Sequence, residues 1–485
     1  MAPRWAPVAS TGAALAALAV AAVDAAPAPS LQVRLRPNGA TEDDELVTLA
    51  ADSWEALRTQ AMAEAQRQQW WPPRGLGEAW WLANASGFRV NTWEELVVAP
   101  EAGRILSLVP EDRPFQWVSR AIGERFPVHV SDREGVELEM VARSPAVYLV
   151  HNFLAEKEVD SLMKVALSKT GENALGVSGV GFKTSGRRAT ESTRTSENAF
   201  DSDSPGAKAL MKRAFEVLRI PHDHAMEDGL QILRYREGQA YISHKDWFPA
   251  NTGGDRQNFD PETGGSNRFA TLFLYLSPPP SGGFTVFPRA HLEPSLSDSA
   301  LVSTGQNTTA AEAAILEAEA HFKSGSWQLK LVEECYTSLA VRPQRLGAVL
   351  FYHQDPMTGR LLPQAEHGAC PTFSGVKWGA NLWVWNKARH LSDPAAPEPT
   401  KGEFINQEAT SVDLEYSMDA GATWVRFSTV QPGQVAAANT YAGHEWRFTA
   451  GSAEVRRWAV PTGWDRAYFT SRSVEAFAEV PSAEL

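Results

Sequence analysis

At 485 residues, of which 43% are hydrophobic and 21% charged, the chain is too long for one ordinary core, and we expect two to four folded domains. The formal net charge of −13 argues against a nucleic-acid partner, because such binding needs a large basic face. The acidic balance weakly favours a neutral or basic substrate, which the protein's field would steer toward it.

The first residues of the chain have the features of a signal peptide. Arg4 supplies a positive charge, an apolar run follows from Gly12 to Val23, and small residues come next as a cleavage site. The run is too short for a comfortable membrane span. We therefore predict a signal peptide over residues 1–26, no membrane span in the mature chain, and a place in the secretory pathway, in the endoplasmic reticulum or Golgi lumen. A short membrane anchor and a plastid transit segment are the alternatives.

Residues 31–140 predict a separate α+β module. Residues 31–36 alternate as a strand does, and a helix is expected over 52–68 with Asp52 or Ser53 as its N-cap. A ubiquitin-like arrangement would accommodate these elements. The sequence assigns the module no function.

From residue 145 to 390 the pattern becomes one helix, at 155–169, followed by short apolar strands between loops rich in Gly, Pro and Asn. The strands are predicted at 230–235, 240–244, 269–276, 285–287, 347–352 and 376–385. Closely spaced strands with turn signals are typical of a β-sandwich or jelly roll. Two stretches, 251–267 and 301–323, have the composition of insertions that flank this core.

A linker is predicted over residues 391–410, because this stretch contains the proline-rich segment 394–399. Beyond it, residues 411–485 again alternate in the manner of strands, with turns at glycines. We predict a small all-β domain there, of the β-sandwich type.

A pair of side chains at the end of a predicted strand has the spacing of metal ligands. His244 and Asp246 are two apart and therefore point to the same side of the strand, while Lys245 points away. A distant His367 would complete a set of two imidazoles and one carboxylate, which leaves three metal positions open for oxygen and a co-substrate. One such triplet is weak evidence, since His353-Gln354-Asp355 is a rival and His222-Asp223-His224 is a third histidine-rich spot.

Lys377 distinguishes the first triplet from its rivals. It follows His367 at the head of the strand 377–385, where alternation places Lys377, Asn381 and Trp383 on one face, predicted to be the inner one. A buried cation opposite the metal suits a dicarboxylate co-substrate, because one end can chelate the metal while the other pairs with the ammonium. Each of these residues alone would be read as an ordinary satisfied polar group, but the set as a whole is not.

This set of segments resembles the prolyl 4-hydroxylases. The segments that carry the resemblance follow one another in the family's order: Tyr148-Leu-Val-His-Asn-Phe-Leu, Arg194-Thr-Ser, Leu230-Gln-Ile-Leu-Arg-Tyr-Arg-Glu-Gly-Gln-Ala-Tyr-Ile-Ser-His-Lys-Asp-Trp-Phe, Arg268-Phe-Ala-Thr-Leu-Phe-Leu-Tyr-Leu, Gly282-Gly-Phe-Thr-Val-Phe-Pro, His367-Gly-Ala-Cys-Pro and Gly375-Val-Lys-Trp. The resemblance implies a double-stranded β-helix with flanking helices. It also implies Fe(II), 2-oxoglutarate and O2 as cofactor and co-substrates, with ascorbate as reductant.

The resemblance assigns roles to residues of this chain. It makes His244, Asp246 and His367 the iron ligands, and Lys377 the partner of the distal carboxylate of 2-oxoglutarate. The hydrogen-bond donors that it implies for that carboxylate are Tyr235 and Thr285, and the substrate-side residues that it implies are Arg194, Ser196, Tyr241, Arg268 and Trp383. Each aromatic residue in these sets has ordinary core packing as its alternative. Trp385 departs from the family, several members of which carry histidine there, and this difference bears on substrate preference.

The chain has two cysteines, Cys335 and Cys370, too few for a zinc cage. From the residues alone, a disulfide and two unrelated buried thiols are both open. The resemblance to the prolyl 4-hydroxylases favours the disulfide, because that family often bridges the cysteine beside the distal histidine to an earlier one.

The C-terminal segment Gln431-Pro-Gly-Gln-Val-Ala-Ala-Ala-Asn-Thr-Tyr-Ala-Gly-His-Glu-Trp-Arg-Phe resembles the β domain of the von Hippel–Lindau tumour suppressor. That family reads hydroxyproline in a pocket, and the resemblance places Thr440, His444 and Trp446 on part of it. Alternation puts these three side chains on one face. Two interpretations stay open: a domain that binds product or substrate peptide, and a sandwich in which these residues only pack.

The sequence thus predicts a dioxygenase that hydroxylates peptidyl proline to 4-hydroxyproline in a proline-containing peptide or protein. The nearest alternative is hydroxylation of another peptidyl residue or of a small amino acid. The second alternative is a non-catalytic peptide-binding protein that keeps a silent oxygenase fold.

Overall fold

The computed structural model describes residues 30–473 apart from 43, 45, 71–78, 171–174, 179–192, 251–257, 298, 300, 390–399, 418–423, 441–443 and 462–465. The predicted signal peptide lies outside the described residues. The described part is mainly β. Within it, no helix combines the length and the apolar character needed to cross a bilayer.

The helices of the structure are α1 (Trp54–Arg67), α2 (Trp93–Val98), α3 (Glu156–Ser168), α4 (Pro205–Leu218), α5 (Thr308–Glu319) and α6 (Trp327–Thr337). The strands up to the middle of the chain are β1 (Leu31–Pro37), β2 (Val47–Ala51), β3 (Trp80–Ala83), β4 (Arg89–Val90), β5 (Ile105–Pro110), β6 (Arg125–Pro127), β7 (Glu137–Arg143), β8 (Ala146–His151), β9 (Gly176–Val177), β10 (Glu197–Asp201), β11 (Glu227–Tyr235), β12 (Tyr241–His244), β13 (Arg268–Ser277), β14 (Ser281–Gly282) and β15 (Thr285–Phe287). The strands after them are β16 (Val302–Ser303), β17 (Leu339–Val341), β18 (Ala348–Tyr352), β19 (His367–Ala369), β20 (Thr372–Ser374), β21 (Lys377–Trp385), β22 (Thr400–Ile405), β23 (Val412–Ser417), β24 (Val425–Val430), β25 (Val435–Thr440), β26 (Glu445–Ala450), β27 (Ala453–Ala459) and β28 (Arg466–Thr470).

The N-terminal region forms a mixed sheet in the order β2-β1-β5-β3-β4, in which β1 is antiparallel to β2 and parallel to β5. Helix α1 begins after Ser53, whose hydroxyl accepts a hydrogen bond from the Ala56 amide. It buries Leu57, Ala61 and Ala65, which lie one turn apart on one face, against this sheet. The region therefore contains both helix and strands, and its ubiquitin-like arrangement stays a prediction.

The largest sheet has nine strands in the order β6-β7-β8-β18-β13-β21-β11-β10-β9. Its outer face packs against α3 and α4, because alternation along the strands turns residues such as Leu272 and Leu382 toward Leu162 and Phe215 of the helices. Strand β6 and the start of β7 lie within the range predicted for the N-terminal module, 31–140, so the sheet begins earlier in the chain than the sequence pattern indicates. The reason is that β7 and β8 form a hairpin whose pairing the alternation pattern alone does not reveal.

A second sheet, in the order β12-β19-β15-β17-β16, lies opposite the inner face of the large one. The two sheets share a buried cluster in which Phe273 and Phe351 of the large sheet pack with Phe287, Leu339 and Val341 of the smaller one. A core of this kind fixes the spacing between the sheets. The candidate site lies between them.

The second predicted insertion contains α5, and α6 follows it. Cys335 of α6 forms a disulfide with Cys370, the residue that follows β19. A second contact nearby joins Glu334 to Ser243 of β12, whose hydroxyl donates to the carboxylate at 2.6 Å. Helix α6 is thereby attached to both strands that carry the predicted metal-binding histidines.

The C-terminal region contains a three-stranded sheet, β25-β22-β28, and a four-stranded sheet, β24-β23-β26-β27. Their shared core includes Phe404, Trp446, Phe448, Trp458 and Phe469. Strand β22 lies inside the range predicted as linker, 391–410. It is the central strand of its sheet, so the C-terminal fold begins at residue 400. The sequence did not predict this strand, because a short strand next to a proline-rich stretch gives no clear periodic signal.

Candidate active site

Pairing of two short strands places the predicted metal ligands. Residues His244 of β12 and His367 of β19 are register partners, and Asp246 follows directly after β12. The Nε2 atoms of His244 and His367 lie each 3.5 Å from a carboxylate oxygen of Asp246. One ligand atom from each of the three residues falls within 4.8 Å of the others, so the chain presents a compact face of two imidazoles and one carboxylate.

Backbone carbonyls orient both imidazole rings. The Nδ1 atom of His244 lies 2.8 Å from the Ile242 carbonyl oxygen, and Nδ1 of His367 lies 3.0 Å from the Ala365 carbonyl oxygen. A carbonyl can only accept, so Nδ1 donates in each ring, and the lone pair of the neutral ring is on Nε2. Both Nε2 lone pairs therefore face Asp246, as metal ligands require.

The Asp246 carboxylate is buried and held by a hydroxyl from the large sheet. Burial raises its pKa, but the neighbouring imidazoles of His367 and His244 outweigh burial and hold the pKa well below its usual range. Thr271 of β13 lies 2.7 Å from Oδ2 of Asp246 and 2.7 Å from Nε2 of His353. Since an ionised carboxylate only accepts, Thr271 donates to Asp246 and accepts from His353.

His353, from the rival triplet, thus supports Asp246 of the first triplet through Thr271. It is completely buried, and burial lowers its pKa to about 3, which keeps the ring neutral and able to donate through Nε2. Asp355 instead stabilises its own loop, where its carboxylate accepts from the amides of Met357 and Thr358. Among the described residues, the rival triplet does not form a metal-binding group.

Lys377 is the clearest electrostatic feature of the site. Its side chain is 1% exposed, and Nζ has no hydrogen-bond partner among the described residues. The ammonium lies 5.3, 4.9 and 5.8 Å from the ring centres of Tyr235, Phe273 and Tyr275. Burial lowers the pKa of Lys377 to about 7. A buried cation without a counter-ion is costly, and an anionic ligand would relieve that cost.

The predicted hydrogen-bond donors lie beside this lysine. Tyr235 is the register partner of Lys377 on β11, and Thr285 of the smaller sheet is buried and 2.9 Å from the Tyr275 hydroxyl. Sequence reasoning missed Tyr275, as it missed Thr271. Both lie on the inner face of β13, each two residues from Phe273. Alternation along β13 was the signal that could have found them.

Three of the five predicted substrate-side residues form a network beside β11 of the large sheet. The Arg194 guanidinium donates to Ser196 at 3.1 Å and to Gln231 at 3.1 Å. It also lies 4.7 Å from the ring centre of Tyr241. Tyr241 stacks on His244 with ring centres 3.7 Å apart, so this network touches the metal-binding face directly.

The other two predicted substrate-side residues lie beside Asp246, whose backbone carbonyl oxygen accepts a hydrogen bond from Arg268 at 3.2 Å. Arg268 lies 3.9 Å above the Trp383 ring and donates to Asp228 at 2.9 Å. Trp385 donates its indole N–H to the same carboxylate at 3.0 Å. Trp383 is 6% exposed, and its indole N–H has no hydrogen-bond partner among the described residues. Asp228 is a third residue of the site that sequence reasoning missed.

These residues fit the implied iron and co-substrate. Two imidazoles and one carboxylate are the donor set that suits Fe(II) with open positions. The unpaired buried ammonium of Lys377 is the complement of a carboxylate. The fit rests on His244, Asp246, His367 and Lys377 together.

The C-terminal residues form their own buried cluster. Trp446 donates its indole N–H to the Thr440 hydroxyl at 2.8 Å, and that hydroxyl lies 3.3 Å from Nδ1 of His444. The Trp446 ring packs against Phe404 and Tyr416, with ring centres 4.4 and 5.3 Å away. The three side chains predicted to share a face are therefore in contact, and all three are buried.

Comparison with protein families matches residues 230–385 to the 2OG-Fe(II) oxygenase superfamily. Probable prolyl 4-hydroxylase 6 of Arabidopsis thaliana is 31% identical over 244 residues, which cover 50% of this chain and 69% of the relative. Probable prolyl 4-hydroxylase 3 of the same plant is 29% identical over 246 residues, 51% of this chain and 71% of the relative. The crystal structure of the viral collagen prolyl hydroxylase vCPH from Paramecium Bursaria Chlorella virus-1, in its 2OG complex, matches 50% of this chain and 96% of that one with 18% identity and a TM-score of 0.30. That structural likeness is too low to bear on function. By its sequence relatives, the chain belongs to the prolyl 4-hydroxylase family of oxygenases that use Fe(II), 2-oxoglutarate and O2.

Proposed function

We propose that the chain hydroxylates proline in a peptide substrate, giving 4-hydroxyproline. The observation that carries the proposal is the buried ammonium of Lys377, which has no hydrogen-bond partner among the described residues and belongs to the sheet that faces the strands of His244 and His367. The names of the sequence relatives supply the substrate class, because they are prolyl 4-hydroxylases. We also propose that the two facing sheets form the double-stranded β-helix of this family.

Each residue of the site has a defined task in this reaction. Bound iron, 2-oxoglutarate and oxygen supply the oxidising power for the hydroxylation. His244, Asp246 and His367 would hold the metal. Lys377 pairs with the distal carboxylate, and the hydroxyls of Tyr235 and Thr285 lie beside it to donate hydrogen bonds. The buried aromatic walls exclude water from the reacting groups.

The substrate is proposed to lie between the two aromatic sides of the metal-binding face. Tyr241 and Trp383 are aromatic side chains of the kind against which proline-rich peptides in the polyproline conformation dock. Arg194 and Arg268 are each anchored by hydrogen bonds and each lie against one of these rings. The aromatic faces are thus held in place before a peptide arrives, which limits the entropy lost on binding.

The direct test is incubation of the full chain with iron, 2-oxoglutarate, ascorbate and a panel of proline-rich peptides. We expect succinate formation coupled to a mass gain of one oxygen atom, located on proline by fragmentation. The matched control is Asp246→Ala, which should lose both signals because the ligand set is broken. Full activity in Asp246→Ala would show that the ligand assignment is wrong.

The same experiment separates the alternatives. Oxygen added to another residue, or to a free amino acid but to no peptide, would move the chain to a different hydroxylase specificity. No 2-oxoglutarate decarboxylation with any peptide would favour a non-catalytic binding protein. The proposal also places the chain in the secretory pathway with ascorbate as reductant, and omission of ascorbate should lower the number of turnovers.

The C-terminal domain is proposed to read hydroxyproline through Thr440, His444 and Trp446. Support comes from the contact between these side chains, in which one hydroxyl links an indole N–H and an imidazole. A reader domain would keep a peptide near the active site by raising its effective concentration. Titration of the Asp246→Ala chain with matched peptides should show preference for the hydroxylated one, and His444→Ala should remove that preference. Equal binding of both peptides would mean that these three side chains only pack within the domain.

A further inference from the structure

A second histidine-rich cluster lies in the turn between α4 and β11, before the strand that carries the iron ligand His244. Asp223 accepts a hydrogen bond from the Ala225 amide at 2.8 Å and so closes a tight turn. The turn brings the rings of His222 and His224 to a centre-to-centre distance of 4.7 Å. Both rings then face Glu227, the first residue of β11.

The contacts in this cluster converge on one carboxylate. Nε2 of His222 lies 3.1 Å from one oxygen of Glu227, and Nδ1 of His224 lies 2.8 Å from the other. One ligand atom from each residue falls within 4.8 Å of the others, as in the iron site. The Glu227 side chain is 7% exposed, whereas that of His224 is 71% exposed. The carboxylate is therefore buried beneath the two imidazole rings, and an ion can reach the cluster from the solvent-exposed side of His224.

The charge of Glu227 is not balanced by a lysine or arginine. In the part of the chain that the structure describes, its ion-pair contacts are with these two histidines. Hydrogen bonds from two imidazoles use only part of the acceptor capacity of this buried carboxylate, and incomplete pairing of a buried carboxylate is costly. A divalent cation would bind the carboxylate directly and use the two imidazoles as further ligands.

We propose that His222, His224 and Glu227 form a second metal site, which takes a first-row divalent ion of the zinc class. Nitrogen and oxygen donors in this number suit Zn²⁺, and water can complete the coordination on the exposed side. The site differs from the iron site because it opens to solvent, and no buried ammonium accompanies it among the described residues. Its role is structural: it ties the turn after α4 to the start of β11.

The position of Glu227 at the start of β11 connects the proposed metal site to the substrate side of the active site. Glu227 is the register partner of Val384 on β21, beside Trp383 and Trp385. The next residue, Asp228, receives the hydrogen bonds of Arg268 and Trp385. A metal on Glu227 would therefore hold the end of β11 from which the substrate-side aromatic wall is braced.

The test uses the full chain with Asp246→Ala and His367→Ala, which removes the iron site. After equilibrium dialysis against micromolar Zn²⁺, elemental analysis should find one zinc per chain. Adding His222→Gln and His224→Gln should weaken zinc binding by more than about tenfold, since a ligand contributes at least as much as an outer-shell partner. His129→Gln is the matched control, because His129 is an exposed histidine outside the cluster, and it should bind zinc unchanged.

A second measurement guards against a variant that does not fold. Zinc should raise the melting temperature of the chain without the iron site, and should leave that of the His224→Gln form unchanged, with circular dichroism showing the same fold for both. His224 is the most exposed of the three, so its replacement should not disturb the core. Equal zinc content, or an equal rise in melting temperature, in cluster variant and control would mean adventitious surface binding only and would overturn the proposal.

Discussion

The pKa of Lys377, which burial lowers to about 7, makes co-substrate binding sensitive to pH. The distal carboxylate of 2-oxoglutarate needs the ammonium form, so above pH 7 binding must take up a proton. We therefore expect the dissociation constant for 2-oxoglutarate to rise with pH above 7, by up to about tenfold per pH unit. Calorimetric titrations in buffers of different ionisation enthalpy measure both the affinity and the proton uptake.

The same lysine should make the ligand-free protein more stable, not less, as the pH rises. An unfolded lysine keeps its proton up to about pH 10.4, so between pH 7 and 10 the unfolded state binds more protons than the folded one. The free energy of unfolding should therefore rise with pH across this window. Lys377→Met should abolish the rise and also weaken 2-oxoglutarate binding at every pH. A wild-type stability profile with the same slope as that of Lys377→Met would contradict this account.

Thr271 should be a positioning residue for the metal, because it holds the Asp246 carboxylate from behind and is itself fixed by His353. Replacing it with valine keeps the shape but removes the hydroxyl, which frees the carboxylate and leaves His353 without its acceptor. We expect Thr271→Val to lower Mn²⁺ affinity by about 10- to 100-fold. Thr271→Ser keeps the hydroxyl and should bind within a few-fold of wild type. Titration of the metal-free chain decides between these outcomes, and equal affinities for the two variants would remove Thr271 from the metal site.

At the scale of elements, α6 acts as a brace for the two strands that carry the metal ligands. Cys335–Cys370 attaches it beside His367, and Glu334 attaches it beside His244 through Ser243. Closing a loop over 35 residues of sequence separation stabilises a fold by about 3–4 kcal/mol in the chain-entropy account. Cys335→Ala with Cys370→Ala should lower the free energy of unfolding in urea by about that amount. Reductant should reproduce the loss in wild type and leave the double variant unchanged; an equal response of both would contradict the brace.

The elements that sequence reasoning predicted are those with strong local signals. Helix α1 begins at the predicted cap Ser53, and β21 spans the predicted range with Lys377 at its head. The missed partners, Thr271 and Tyr275, come from a strand that was predicted correctly. Their roles depend on pairing between strands far apart in the chain, such as Thr271 opposite Trp383, and periodicity within one segment holds no information about register.

At the scale of the whole molecule, the lack of information on long-range pairing also explains why the sequence did not predict the N-terminal domain boundary. The iron ligands and Lys377 could be proposed from the sequence because they lie within the motifs that resemble the family. The N-terminal boundary could not, because the contacts that decide it are long-range. Trp117 donates its indole N–H to the Val217 carbonyl oxygen, and Tyr148 donates its hydroxyl to the Val118 carbonyl oxygen. Arg113 donates to the Pro261 carbonyl oxygen, so the N-terminal region is joined to the oxygenase part by buried polar contacts.

These contacts predict how far the chain can be shortened. A chain beginning at residue 145 lacks β6 and β7, exposes the edge of β8, and loses Trp117 and Phe126 from the core that contains Tyr148. We expect it to be insoluble or unfolded, since an unpaired hydrophobic edge strand invites aggregation. A chain beginning at residue 112 keeps these elements and should fold. Circular dichroism and size-exclusion chromatography compare the two directly. If the shorter chain is a folded monomer with the urea midpoint of the longer one, β6 and β7 are dispensable and the boundary read from the sequence is the right one.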